Sequence, residues 1–209
     1  ASHFGDIAYN YSPFVRSISS QFPESKFLLF FRNGIDFVRT ATRLNGEDHT
    51  PVGWPPNGKP LSPVEQYVSL GRLAPRARDP LSERWASMDH LARNAWLWAE
   101  TNRLILEARS GVPPSRVFEL KYEDFFKHAP ASYCRLRAFL GLPGDTPDSV
   151  RHVLERRINS RPDKAMGEFS SWSESEKSSF TEFAGPMMVR LGYGAMIEVV
   201  RLAETNDGS

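Results

Sequence analysis

An arginine that closes a run of apolar residues is the first place in this sequence where chemistry can happen. In Lys26-Phe27-Leu28-Leu29-Phe30-Phe31-Arg32-Asn33-Gly34 the run is bounded by turn formers on both sides, and it reads as a β-strand buried on both faces. After Gly34 the period changes. Ile35, Phe37, Val38 and Ala41 fall at helical spacing and suit a helix packed back on that strand. Strand, short turn and helix make half of a βαβ unit, and the helix start offers backbone N–H groups to an anion. Arg32 stands at the strand's carboxyl end, where ligands of open α/β sheets bind. Thr40 falls on the same helical face as Asn33 and Asp36, so its hydroxyl can share one anion with the Arg32 guanidinium. The simpler role for such an arginine is an ion pair at the strand end.

The elements that must position these residues follow from the pattern on either side. A chain of 209 residues predicts one domain with a substantial core, here residues 1–201, followed by a polar tail at 202–209. Ser12-Pro13 predicts a helix to about Gln21 that buries Phe14 and Ile18. Residues 45–80 are rich in Pro and Gly and read as a surface insertion. Glu83 to Arg109 is the longest helical pattern, with Trp85, Met88, Ala92, Ala95 and Ala99 as its stripe and Trp98 in the core. Arg116 to Lys121 gives a second strand. Ser173-Glu174-Ser175-Glu176 is a capping box for a last helix that buries Phe180, Phe183, Met187 and Leu191, is kinked at Gly185-Pro186 and stops at Gly192.

Composition removes several classes of function. A formal charge of +1, with charged residues at 24%, argues against nucleic-acid or membrane binding driven by net charge, so any anion site is local. One cysteine, Cys134, excludes an intrachain disulfide framework and suits a reducing, cytoplasmic setting; its helical context predicts a small buried hydrophobe. His90 and Asn94 share a helix face without a third ligand, so no metal site is expected. No apolar run is long enough to span a bilayer, and no secretory signal is visible. Nothing in the pattern fixes an oligomeric state.

The ordered set of motifs resembles the sulfotransferases that use 3′-phosphoadenosine 5′-phosphosulfate. In that family a hydrophobic strand ends in Arg, a helix follows, and a Ser stands where this chain has Thr40. Phe22-Pro23 matches the lead into that strand, and Gly5-Asp6 matches an upstream Gly-acid pair, although Ile7-Ala8-Tyr9 replaces the usual Lys-Thr-Pro. Lys121-Tyr122-Glu123-Asp124-Phe125 and Phe139-Leu140-Gly141-Leu142-Pro143 are the most family-like stretches. The resemblance implies an α/β fold, a three-layer parallel sheet with flanking helices of the P-loop-NTPase-like type, and sulfuryl transfer to a hydroxyl or amine of a small molecule or glycan, with no metal. It also implies Arg32 and Thr40 at the donor's 3′-phosphate, Tyr122 beside the nucleotide, and Arg161 and Lys164 in a basic loop that closes over that phosphate.

The same resemblance places the 5′-phosphosulfate loop, with its strand and helix, upstream of this sequence. No Gly-x-x-x-x-Gly-Lys-Ser/Thr occurs here, and Gly58-Lys59-Pro60 lies in the Pro-rich insertion. Family members use a His or a Glu as general base, and His3 and Asp6 are the candidates upstream of the Arg32 strand. Two other functions compete. One is a non-catalytic nucleotide-binding or scaffold protein on the same fold. The other, a P-loop kinase, is disfavoured by the lack of Walker-type and magnesium-binding patterns.

Overall fold

The apolar run after Lys26 does form a strand, β1 (Phe27–Phe31), which pairs in parallel with β2 (Val117–Lys121); Phe27 lies opposite Val117 and Phe31 opposite Lys121. The computed structural model describes residues 5–6, 9–44, 54, 72–142, 152 and 166–197. Among them the sheet has these two strands, a mixed helix–strand architecture compatible with α/β. Parallel neighbours need a long crossover, and here it carries α2 (Gly34–Leu44), α3 (Ser82–Trp85) and α4 (His90–Arg109). A 3-10 turn (Tyr9–Phe14) and α1 (Val15–Gln21) precede β1. After β2 come α5 (Tyr122–Lys127), α6 (Ala129–Leu140) and α7 (Glu174–Arg190).

Helix α4 is the axis of the packing. It lies against α2, α7 and the N-terminal 3-10 turn, and the main core joins Val38, Ala95, Trp98, Phe180, Ala184 and Met188 from three helices. A second, smaller cluster unites Val15 with Ala108 and Val112. The capping box at the start of α7 is present with both of its bonds, and the helix runs through Gly185-Pro186 to Arg190. Gly192 follows in the left-handed region at φ 74°, and the Tyr193 N–H returns to the Met188 carbonyl at 2.7 Å. Gly141 ends α6 the same way, at φ 75°.

Four expectations from the pattern need correction. The strand is not buried on both faces: Leu29 and Phe31 are buried, whereas Leu28 and Phe30 are 43% and 48% exposed. Helices α5 and α6 cover that second face mainly over β2, where Phe118 meets Phe139 at 5.3 Å, and Phe30 receives only ring edges from Tyr122 and Phe125. The first helix starts at Val15 rather than at Pro13, and Phe14 is 57% exposed; a one-residue shift in helical register puts Val15 inward in its place.

The pattern from Glu83 to Arg109 is two helices, because Asp89 adopts an extended backbone and its side chain accepts the Ala92 N–H at 2.7 Å, starting a new helix. Arg93 closes the joint by donating to the Trp85 and Ala86 carbonyls. Cys134 is exposed, not buried. Helix α6 turns Ala129 and Ser132 inward, and a residue two further on points about 200° away.

The predicted helix after Thr146 apart from His152, the tail, and most of the 45–80 insertion lie outside the described residues. No helix among the described residues is long and apolar enough to cross a membrane.

Candidate functional site

Two strand ends and one helix start meet at Arg32. Parallel pairing brings the carboxyl ends of β1 and β2 side by side, so Arg32 and Tyr122, each the residue after its strand, become neighbours. The Arg32 guanidinium carbon sits 5.3 Å from the centroid of the Tyr122 ring, a cation–π arrangement. Tyr122 in turn meets Phe126 at 4.6 Å, and both rings are partly open to solvent. Arg32 Nε is buried and has no hydrogen-bond acceptor among the described residues, and no carboxylate there forms an ion pair with this side chain. A buried charged donor left unmatched costs about 1–3 kcal/mol or more. The ion-pair role open to an isolated strand-end arginine is therefore not the one seen.

The backbone under Arg32 is held from three directions. Trp98, buried in α4, donates its indole N–H to the Arg32 carbonyl at 3.0 Å. Asn33, only 2% exposed, caps α2 by accepting the Ile35 N–H on Oδ1 at 2.8 Å. Its own N–H donates to Glu123 Oε1 at 2.8 Å, and the other Glu123 oxygen accepts the Tyr193 hydroxyl at 2.8 Å. Gly34 is required by close approach: a Cβ there would stand 3.0 Å from both the Trp98 ring and Met188 Sδ.

This arrangement changes the role expected of the helix start. Of the N–H groups at the β1–α2 turn, the Asn33 amide is taken by the Glu123 carboxylate. Asp36 adds a second negative charge in the first turn of α2. The unmatched donor at this turn is therefore the Arg32 side chain rather than the Asn33 amide.

The other predicted residues distribute unevenly. Thr40 is exposed on α2, and its hydroxyl donates to the Asp36 carbonyl at 2.8 Å. To donate to an anion shared with Arg32, that hydrogen must leave the helix carbonyl. Asp6 accepts the Tyr11 hydroxyl, a bond that, with the carboxylate's charge, pushes the Tyr11 phenol up from its ordinary value. His3, Arg161 and Lys164 lie outside the described residues.

Comparison with protein-family models, with curated proteins and with solved structures gives no match for this chain. The site therefore rests on its own geometry. No cluster of His, Cys, Asp or Glu able to hold a metal ion occurs among the described residues. A cavity of about 400 Å³ borders the start of β2, lined by Arg109, Ser110, Val112, Pro114, Val117 and Glu119, but an Arg109–Glu119 ion pair spans its wall and neither Arg32 nor Tyr122 enters it.

Sequence reasoning placed Arg32 and Tyr122 at one site and missed what holds them. Glu123 was visible only as part of a motif, and Tyr193 only as the residue after a helix stop. An Asn directly before a helix-forming Gly was the available signal for a capped turn at Asn33. Arg39 was also passed over. It donates to the Met166 carbonyl and to both oxygens of Glu168, tying residues 166–168 to α2.

Tyr193 gives the turn a measurable signature. Burial first, and then the bond to Glu123, push its phenol far above the ordinary tyrosine value. The unfolded phenol loses its proton near pH 10 while the folded one keeps it, so the contribution is complete below pH 10 and declines above it. The decline is at most about 1.4 kcal/mol per pH unit. Urea unfolding between pH 8 and 11 should show a shallower loss of stability for Tyr193→Phe than for the parent chain. Equal slopes would remove Tyr193 from this account.

Proposed function

We propose that this chain is a sulfotransferase in which Arg32 holds the 3′-phosphate of the donor, 3′-phosphoadenosine 5′-phosphosulfate. One observation carries the reading: a guanidinium at the carboxyl end of a parallel strand pair, with a buried Nε that no described carboxylate satisfies, stacked on an exposed-edge tyrosine. A dianionic phosphate supplies the missing acceptor, and the Tyr122–Phe126 surface beside it suits the attached nucleoside. In the transfer, the acceptor's oxygen or nitrogen bonds to sulfur as the bond from sulfur to the phosphate oxygen breaks. 3′,5′-Adenosine diphosphate departs, and the acceptor's proton passes to a base, for which His3 and Asp6 are the candidates in this sequence. The reaction spreads charge over the sulfuryl oxygens, so positioning and electrostatic stabilisation do most of the work.

A non-catalytic nucleotide-binding module is the second reading, and one observation favours it: the Asp6 carboxylate is already engaged by Tyr11, its neighbour in the N-terminal turn. Calorimetric titration with 3′,5′-adenosine diphosphate in the presence of a magnesium chelator tests both. Saturable one-site uptake is expected. Uptake only of a nucleoside triphosphate, and only with magnesium, would overturn the donor assignment in favour of a kinase. Labelled-sulfate transfer to a panel of phenols, amines and glycans then separates enzyme from module.

A further inference from the structure

We infer that Glu123 is the positioning residue of the Arg32 site, acting through the β1–α2 turn and not by touching the ligand. The inference rests on the nucleotide reading above for its functional meaning, but its geometry stands on separate observations. Glu123 lies in the first turn of α5, one residue past Tyr122, and reaches across to the neighbouring strand's exit. One of its carboxylate oxygens accepts the Asn33 N–H at 2.8 Å and the other accepts the Tyr193 hydroxyl at 2.8 Å. A single side chain thereby links the end of β1, the start of α5 and the segment after α7, three pieces separated by 90 and 70 residues along the chain.

Two consequences follow for Arg32. The peptide joining Arg32 to Asn33 has its carbonyl fixed by Trp98 and its N–H fixed by Glu123, so the direction in which the arginine leaves the backbone is set from both sides. Second, the carboxylate's two oxygens are both spent on neutral donors. Glu123 therefore holds the turn without pairing with the Arg32 guanidinium, which stays over Tyr122. Near this carboxylate, Lys121 Nζ lies 4.4 Å from the Tyr193 ring centroid and 3.4 Å from the Gly192 carbonyl, Asp36 is held by Arg39 at 3.3 Å, and Asp124 adds a second negative charge acting on the Tyr193 phenol. Lys121 flanks the Tyr193 ring and Arg39 faces the 166–168 segment.

Three variants separate positioning from charge and from simple loss of stability. Glu123→Gln keeps an acceptor for the Asn33 N–H and a donor for the phenol oxygen but removes the charge. Glu123→Ala removes both contacts. Phe180→Leu weakens the core without touching either of the two Glu123 bonds. Binding of 3′,5′-adenosine diphosphate, measured well below each unfolding midpoint, should weaken at least tenfold in Glu123→Ala, stay within about threefold in Glu123→Gln, and be unchanged in Phe180→Leu.

A ligand-free readout runs in parallel. The rate of Arg32 modification by phenylglyoxal, followed by mass spectrometry, should change in Glu123→Ala and be preserved in Glu123→Gln, together with hydrogen-exchange protection of the Asn33 amide. Equal behaviour of parent and Glu123→Ala in the modification assay overturns the inference, as does a Glu123→Gln protein that behaves like Glu123→Ala. If the parent chain takes up no nucleotide while the modification pattern holds, the nucleotide reading falls and the positioning role stands.

Discussion

Arg32→Ala should weaken nucleotide binding by one to two orders of magnitude while leaving the fold as stable as before, or more so. The two halves of this expectation have one cause. The guanidinium's buried Nε meets no acceptor among the described residues, so within the protein alone it is a burden of about 1–3 kcal/mol, which truncation relieves. Charge-assisted bonds from an arginine to a phosphate are worth about 1.5–3 kcal/mol, so losing them weakens binding by about 10- to 150-fold. Loss of the stack on Tyr122 removes about 0.5–1 kcal/mol from the stabilising side. Arg32→Lys sharpens the test, because lysine keeps the charge and lacks the planar fork; it should recover only part of the affinity. Calorimetric titration and thermal melting of the same samples read both halves. A substantially destabilised Arg32→Ala protein that still binds would make this arginine structural.

What the sequence made legible, and what it hid, divides along a physical line. Short-range determinants were readable: the apolar run of β1, the capping box at Ser173 and the helix stop at Gly192 all act through a few neighbouring residues. The start of α4 was misjudged because an amphipathic stripe continues across a break that only the Asp89 cap betrays. The exposed face of β1 was misjudged because Leu28 and Phe30 are as apolar as Leu29 and Phe31. Burial is decided by what packs on each face, and periodicity cannot supply that.

The site split the same way. Arg32 was legible as the residue that closes its strand, and Tyr122 was joined to it only through the family resemblance; the parallel pairing of the two strands is what makes them neighbours. Their support was not legible. Glu123, Asn33, Trp98 and Tyr193 come together from separations of 66 to 90 residues, and no local pattern encodes such contacts. Thr40 illustrates a third case. Its spacing from Arg32 suggested a clamp, while the helix carbonyl four residues back claimed the same hydroxyl.

Trp98 carries the largest expected effect on stability, and its neighbour Gly34 shows why. The indole is buried in the main core and its N–H satisfies the Arg32 carbonyl. Trp98→Ala should lower the unfolding free energy by about 3–5 kcal/mol, a large part of the roughly 5–15 kcal/mol available to a domain. Trp98→Phe keeps most of the ring and strands the carbonyl, for about 1–3 kcal/mol. Gly34 meets the same ring: a Cβ on it would stand 3.0 Å from the indole, so Gly34→Ala should destabilise the parent chain. In a Trp98→Ala background the obstruction is gone, and Met188, the other close neighbour, has a flexible thioether that can yield. Alanine is also the better helix former by up to about 1 kcal/mol, so there the same substitution should become neutral or stabilising. Urea unfolding of the four proteins, followed by far-UV circular dichroism, gives the coupling directly. A change of sign between backgrounds ties α2's first residue to the Trp98 ring; additive effects would mean that the glycine answers to something other than the tryptophan packed beneath it.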